Sequence, residues 1–183
     1  MTADSESRAS YDRLYLDATV LANLAVADLV GVVPETVDNP RTSYAVRAEL
    51  DAGVVAGFEP LTRALAGLSD PLDESSTGDI TVAGSLVRQR KPEFLDRLSR
   101  SEASVLYQAW AAGVPLATDD RDVRAVAATY GVPTTGSVGL VARAVERGVL
   151  SVEAADGALA TWRDAGVSVP VDSVRELTTD DTD

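Results

Sequence analysis

The sequence predicts an α/β fold: a parallel sheet in a three-layer α/β/α arrangement, closed by a C-terminal helical pair. Two observations carry this. Short apolar runs alternate with stretches of helical periodicity along most of the chain, which is the pattern of strands joined by crossover helices. The helical stretches also end where glycine stops them, as at Gly113, Gly131 and Gly148. At 183 residues the chain is long enough for one domain that buries roughly 70% of its unfolded surface. Residues 13–177 read as that domain, between a flexible lead over 1–12 and an acidic tail over 178–183.

The elements follow in order. Leu14-Tyr15-Leu16 is an apolar run ending at Asp17, and Val20, Leu21 and Leu24 follow at helical spacing, so a strand leads into a helix. Val30 to Val33 reads as a second short strand closed by Pro34. Thr42 or Ser43 caps a helix to about Asp51, and Gly53 ends it before a second helical stretch over Val54–Leu68. Ser69–Gly84 is a connection rich in Ser, Asp, Gly and Pro, with a short strand at Ile80-Thr81-Val82. Pro92–Leu98 gives a helical turn or two and Glu102–Ala112 a firmer helix. Val114–Ala117 is a buried strand, Arg121–Tyr130 a helix, Val132–Thr134 a strand, and Val138–Arg147 a helix with Ser137 as its cap. Val152–Ala165 and Val171–Leu177 form the closing pair, joined by Gly166–Pro170.

Composition narrows the chemistry. Cysteine and histidine are both absent, which excludes disulfides, thiolate and Ser-His-Asp nucleophilic schemes, and metal sites built on sulfur or imidazole. Any site must use carboxylates, hydroxyls, amides and arginines. The start is polar and acidic and no apolar run approaches a membrane span, so the chain is expected in the cytoplasm without a membrane partner. Twenty-nine acids against sixteen bases, with Lys91 the sole lysine, give a net charge of −13. That balance argues against nucleic acid as a partner at ordinary ionic strength. It also resembles the proteome-wide habit of halophilic organisms with molar cytosolic salt, where screening within about 3 Å removes the objection.

The acids stand in an informative pattern. Asp17 directly follows the first strand, and Asp119 and Asp120 directly follow the Val114–Ala117 strand, at the carboxyl ends where open α/β sheets build sites. Taken singly, each also reads as a helix N-cap, and Asp119 with Asp122 three positions on reads as a capping-box variant. Glu49 has Ala45, Val46, Ala52 and Gly53 as its helical neighbours, so it is expected in a buried stripe, where an unpaired carboxylate is costly. Glu102 shares a face with Val105, Leu106 and Ala109, and equally completes a capping box with Ser99. Carboxylates gathered in this way need a hard cation, and oxygen-only ligands suit Mg²⁺ or Mn²⁺, which support phosphodiester hydrolysis without histidine. Arg88, Arg90, Lys91, Arg97 and Arg100 are the one basic concentration, running up to Glu102. They read either as a guide for an RNA backbone or as a solvated helix face. Gly136-x-x-Gly139 lacks Walker spacing and reads as a plain helix entry.

These residues resemble the PIN-domain family, and within it the prokaryotic branch that includes VapC-like toxins. The resemblance rests on Leu16-Asp17-Ala18-Thr19-Val20-Leu21, Ala45-Val46-Arg47-Ala48-Glu49-Leu50, Leu98-Ser99-Arg100-Ser101-Glu102-Ala103 and Ala117-Thr118-Asp119-Asp120-Arg121-Asp122, in that order. Thr135 to Val141 and Gly148-Val149-Leu150 are similar to the C-terminal half of one subfamily. Ser101 and Ser104 depart from the pattern of many relatives, which have a Gly before the third acid and a second Glu two positions after it. The resemblance implies a Mg²⁺- or Mn²⁺-dependent endoribonuclease leaving a 5′-phosphate. Asp17, Glu49, Glu102 and Asp120 would be its catalytic and metal-binding acids, with Asp119 beside them in the metal set, and Thr19 and Asp119 would orient contacts around the ion. Arg97, Arg100 and Arg121 are the candidate nucleic-acid contacts. Candidate partners are an RNA substrate, an antitoxin protein and a second copy of the chain. The competing readings are a catalytically inactive PIN-like scaffold binding RNA or protein, and a receiver-like phospho-acceptor, which lacks its late lysine here.

Overall fold

The computed structural model describes residues 13–67 and 86–178. Within them the strands are β1 (Leu14–Leu16), β2 (Pro40–Arg41), β3 (Leu116–Ala117) and β4 (Thr134–Thr135). The helices are α1 (Ala18–Val26), α2 (Val33–Thr36), α3 (Tyr44–Val55), α4 (Leu61–Gly67), α5 (Arg100–Ala112), α6 (Arg121–Thr129), α7 (Ser137–Glu146), α8 (Val152–Asp164) and α9 (Arg175–Thr178). Residues 86–90 are also helical, and Pro92–Asp96 is a 3₁₀ segment. The expected strand at Ile80–Val82, the lead over 1–12 and all but Thr178 of the acidic tail lie outside the described residues.

The strands form one parallel sheet in the order β2-β1-β3-β4. Tyr15 pairs with Arg41 on one side and with Leu116 on the other, and Ala117 pairs with Thr135. The chain leaves β1 toward β2 on one side and later crosses to β3 on the opposite side. The point where the connections diverge, between β1 and β3, is where sheets of this kind open a crevice at their carboxyl edge. Ladder bonds run to that edge: the Asp17 amide donates to the Ala117 carbonyl at 2.9 Å and the Thr118 amide to that of Thr135 at 3.0 Å.

The strands are short, and the core is built by helices closing over them. Leu14, Leu16 and Leu116 are fully buried, as are Val20 and Leu21 of α1, Val105 and Leu106 of α5, and Trp162 of α8. Helix α5 packs on β1, β3, α3 and α6, and α1 packs with α3, α4, α7 and α8, so that helices cover the parallel sheet as the α/β/α expectation has it. Hydrophobic burial of this contiguous cluster holds the strand ends in place. Trp162 also fastens α8 to α1 by donating its indole N–H to the Asn23 carbonyl at 2.7 Å.

Several boundaries differ from the sequence expectation. Val30–Val33 is not a strand: Val30–Val32 is a 3₁₀ turn and α2 starts at Val33, with Pro34 at a first-turn position that favours helix entry. The second strand is the shorter Pro40–Arg41, where Thr42 Oγ1 donates to the Leu16 carbonyl at 2.7 Å and holds the β2 end against the β1 end. Gly53 does not end α3, which continues to Val55; the break comes at Gly57, whose φ of +96° favours glycine. The last helix is confined to Arg175–Thr178, because Asp156 on α8 receives the Val174 amide at 2.8 Å and the Ser173 hydroxyl at 2.9 Å, fixing residues 173–174 as a turn.

Candidate active site

Asp17 occupies the N-cap position of α1 with extended backbone, yet its side chain makes no capping bond. Its carboxylate is held instead by hydroxyls from α1 and from the residue after β3. Oδ2 accepts the hydroxyls of Thr19 at 2.9 Å and Thr118 at 2.8 Å. Oδ1 is buried and accepts no hydrogen bond. The residue is 1% exposed, and that burial raises its pKa. The Thr118 and Thr19 hydroxyls and the Ala18 amide oppose the rise, and the charge of Glu102 adds to it. A buried carboxylate oxygen without a donor is costly in a structural role and fits a cation.

The adjacent turn is organised by the same two threonines. The Asp119 amide donates to Thr19 Oγ1 at 3.1 Å and the Asp120 amide to Thr118 Oγ1 at 3.2 Å. The Asp119 carboxylate has partners on both oxygens: Oδ2 accepts Asn23 Nδ2 at 2.8 Å and the Ser137 hydroxyl, while Oδ1 accepts the Ser137 amide at 3.0 Å and faces the Arg124 guanidinium at 3.6 Å. It is thus not the helix cap expected from its spacing to Asp122. That cap is Asp120, whose Oδ1 receives the amides of Asp122 at 2.8 Å and Val123 at 2.9 Å. Ser137 is likewise not the cap of α7; Gly136 takes that position and Ser137 is spent on Asp119.

The remaining acids sit differently from Asp17. Glu102 completes the capping box with Ser99, receiving the Ser99 amide at 2.7 Å through Oε2 while the Glu102 amide donates to Ser99 Oγ. Glu49 is exposed, so the expectation of a buried stripe is wrong for it: α3 buries Val46 and Leu50, and Ala52 on the Glu49 side is also exposed. Among the described residues no three acids are close enough to form a ready-made ligand set. Mg²⁺ characteristically takes only one or two carboxylates and completes its shell with water and phosphate, so an open arrangement of this donor type fits such an ion.

Against known proteins, a family model described as PIN domain matches residues 14–180. The chain belongs to the PIN-domain family. No curated protein and no solved structure matches it significantly. The fold is accordingly of nuclease type, and PIN nucleases typically use divalent metals. Among the described residues of this PIN domain no single helix is long and apolar enough to cross a membrane.

Lys91 differs in role from the arginines near the starts of α5 and α6. Lys91 lies 4.5 Å from the Trp110 ring centroid and 4.6 Å from that of Tyr130, with Glu93 at 3.6 Å, so it works as an internal clamp between α5 and the end of α6. Arg97 reaches Asp122 at 3.6 Å, and Arg100 and Arg121 are the exposed first residues of α5 and α6. These three flank the helix starts that bear Glu102 and Asp120. Asn23, Thr118, Arg124 and Ser137 were not foreseen as site residues. A polar Asn23 four positions after Thr19 on an otherwise apolar helix was the available signal, since residues at that spacing share a face.

Proposed function

We propose that this PIN domain, working as a single unit over residues 13–177, is a Mg²⁺- or Mn²⁺-dependent endoribonuclease. Asp17, Glu49, Glu102 and Asp120 would serve the ion, Asp17 directly and the other three through its shell of water. The observation that carries the reading is the unpartnered Oδ1 of Asp17, buried at the carboxyl edge of the sheet. The bound ion would supply an activated water and charge stabilisation at the phosphoryl group. The chain's own part is orientation. Thr19 and Thr118 donate to one oxygen of Asp17, favouring its ionised form and leaving the other oxygen without a donor. Asp120 uses Oδ1 on the α6 amides, which leaves Oδ2 for the site. Arg97, Arg100 and Arg121 flank the same edge and would contact RNA phosphates, assisted by the partial positive charge at the starts of α5 and α6.

The test is cleavage of RNA by the purified protein with Mn²⁺, with chelator, and with Asp17→Asn. The reading requires cutting that needs the metal and disappears in the variant. A second reading, a PIN scaffold that binds RNA or protein without cutting, is favoured by Asp120 serving as a helix cap, by Glu102 being engaged in the Ser99 capping box and by the exposure of Glu49. It expects RNA binding that persists in chelator and no cleavage in either condition. The finer assignment as the cytoplasmic toxin of a toxin–antitoxin pair follows from the VapC-like motif order. Inhibition of cleavage by the product of a small adjacent open reading frame would test it.

A further inference from the structure

We propose that Asp119 is a positioning residue and not a metal ligand, held in place by Asn23, Ser137 and Arg124. The inference deepens the reading of the site given above and rests on it. A carboxylate offers about four acceptor sites, and at Asp119 all are engaged: the Asn23 amide and Ser137 hydroxyl on Oδ2, the Ser137 amide and Arg124 guanidinium on Oδ1. Asp17 is the opposite case, with both hydroxyl donors on Oδ2 and none on Oδ1. Two neighbouring strand-end acids of the same type are therefore turned to different tasks by their partners.

What Asp119 positions follows from the direction of the hydrogen bonds. Its carboxylate ties the β3–α6 turn to α1 through Asn23 and to the α7 entry through Ser137. With the turn fixed, the amides of residues 119 and 120 point at Thr19 Oγ1 and Thr118 Oγ1. Each threonine, its oxygen already accepting an amide, directs its own hydrogen to Asp17 Oδ2. Two parallel relays thus run from the Asp119–Asp120 backbone to one oxygen of Asp17. Gly136 supports this: a Cβ there would lie 2.3 Å from both Asp119 Oδ1 and Arg124 Nη2, so the clamp closes only over glycine.

The test compares Asp119→Asn with Asp119→Ala in the full chain, by Mn²⁺ titration followed through the electron paramagnetic resonance signal of free Mn²⁺ and by kcat and KM on RNA. Asparagine fits the clamp, because the Asn23 amide can turn over and the Ser137 hydroxyl can rotate to accept. Asp119→Asn is expected to hold Mn²⁺ within about threefold of the wild type, and Asp119→Ala to lose about tenfold or more. Asn23→Ala and Ser137→Ala are expected to lower kcat about tenfold to a hundredfold with KM nearly unchanged. If Asp119→Asn loses Mn²⁺ as completely as Asp17→Asn, Asp119 is a ligand and the proposal falls. It falls equally if Asn23→Ala and Ser137→Ala reduce melting temperature alone. Absence of RNA cleavage by the wild type would remove the nuclease reading by itself, and the Mn²⁺ titrations of the two Asp119 variants would still decide whether Asp119 ligates.

Discussion

Asp17→Asn should make the metal-free protein more stable at neutral pH while removing its response to metal. Asp17 is buried with one unpartnered oxygen, and burial, with the Glu102 charge as a lesser cause, holds its pKa above the ordinary 3.8. The folded chain therefore keeps this proton at pH values where the unfolded chain has released it. Stability from this group falls as pH rises from the ordinary to the raised value and stays low above it, with a limiting slope of about 1.4 kcal/mol per pH unit. Asparagine removes that charge: its oxygen can accept both threonine hydroxyls, and its NH₂ would replace the unpartnered Oδ1. Relief of a functional site by such a change is worth about 0.5–2 kcal/mol. At about 2–4 °C per kcal/mol for a chain of this size, melting should rise by about 1–8 °C at pH 7. The gain should fade as pH is lowered through the raised value toward 3.8, where the folded and unfolded carboxyls both carry the proton, an ordering opposite to that of a salt-bridged aspartate. Mn²⁺ at about 100 times its dissociation constant should add about 2.7 kcal/mol to the wild type alone. Thermal melts from pH 4 to 8, with chelator and with Mn²⁺, measure all of this. A variant less stable than the wild type at every pH, or a gap that ignores pH, would refute the reasoning.

Other consequences follow from particular contacts. Lys91→Met should cost about 1–2 kcal/mol in chemical denaturation by deleting the ammonium between Trp110 and Tyr130, and RNA affinity should not change. The Arg97/Arg100 double alanine variant should weaken RNA binding and flatten the slope of log K against log salt by about 1.4, at about 0.7 for each phosphate contact on a single strand. An unchanged slope would leave both as solvated helix residues. The pKa of Asp156 is lowered by the Val174 amide and, next, the Ser173 hydroxyl, so its contribution is present above pH 3.8 and is lost as pH falls through the lowered value. Asp156→Ala should accordingly speed hydrogen exchange at Val174 and Leu177 and leave the sheet amides protected.

Most of the fold was legible because periodicity and turn residues reinforced each other. Helices α5, α6 and α7 end near Gly113, Gly131 and Gly148, each with positive φ, where the spacing placed the stops. The second strand was misplaced because Val30–Val33 has strand composition, while the strand itself is a two-residue Pro40–Arg41 edge with no apolar run to mark it. Its position is decided by tertiary bonds, the Leu14 amide to the Asn39 carbonyl and Thr42 Oγ1 to the Leu16 carbonyl, which local propensity does not encode.

The site was legible in its residues but not in their division of labour. Position at a strand end marked Asp17, Asp119 and Asp120 alike, and each was also consistent with a helix cap. Only the long-range partners separate them: Asp17 meets Thr118 across 101 residues and leaves one oxygen empty, Asp119 meets Asn23 and Ser137 from two different helices, and Asp120 takes the cap. Glu49 shows the converse. Small and apolar neighbours marked a face that helix α3 leaves open, because its burial comes from Val46 and Leu50 one residue around the helix. An acid on an open face stays in contact with water, whereas Asp17 is buried with two hydroxyls on one oxygen and no donor on the other. If metal binds this edge, the energetic penalty it relieves is concentrated at Asp17, which is why that substitution and no other of the four is expected to raise metal-free stability.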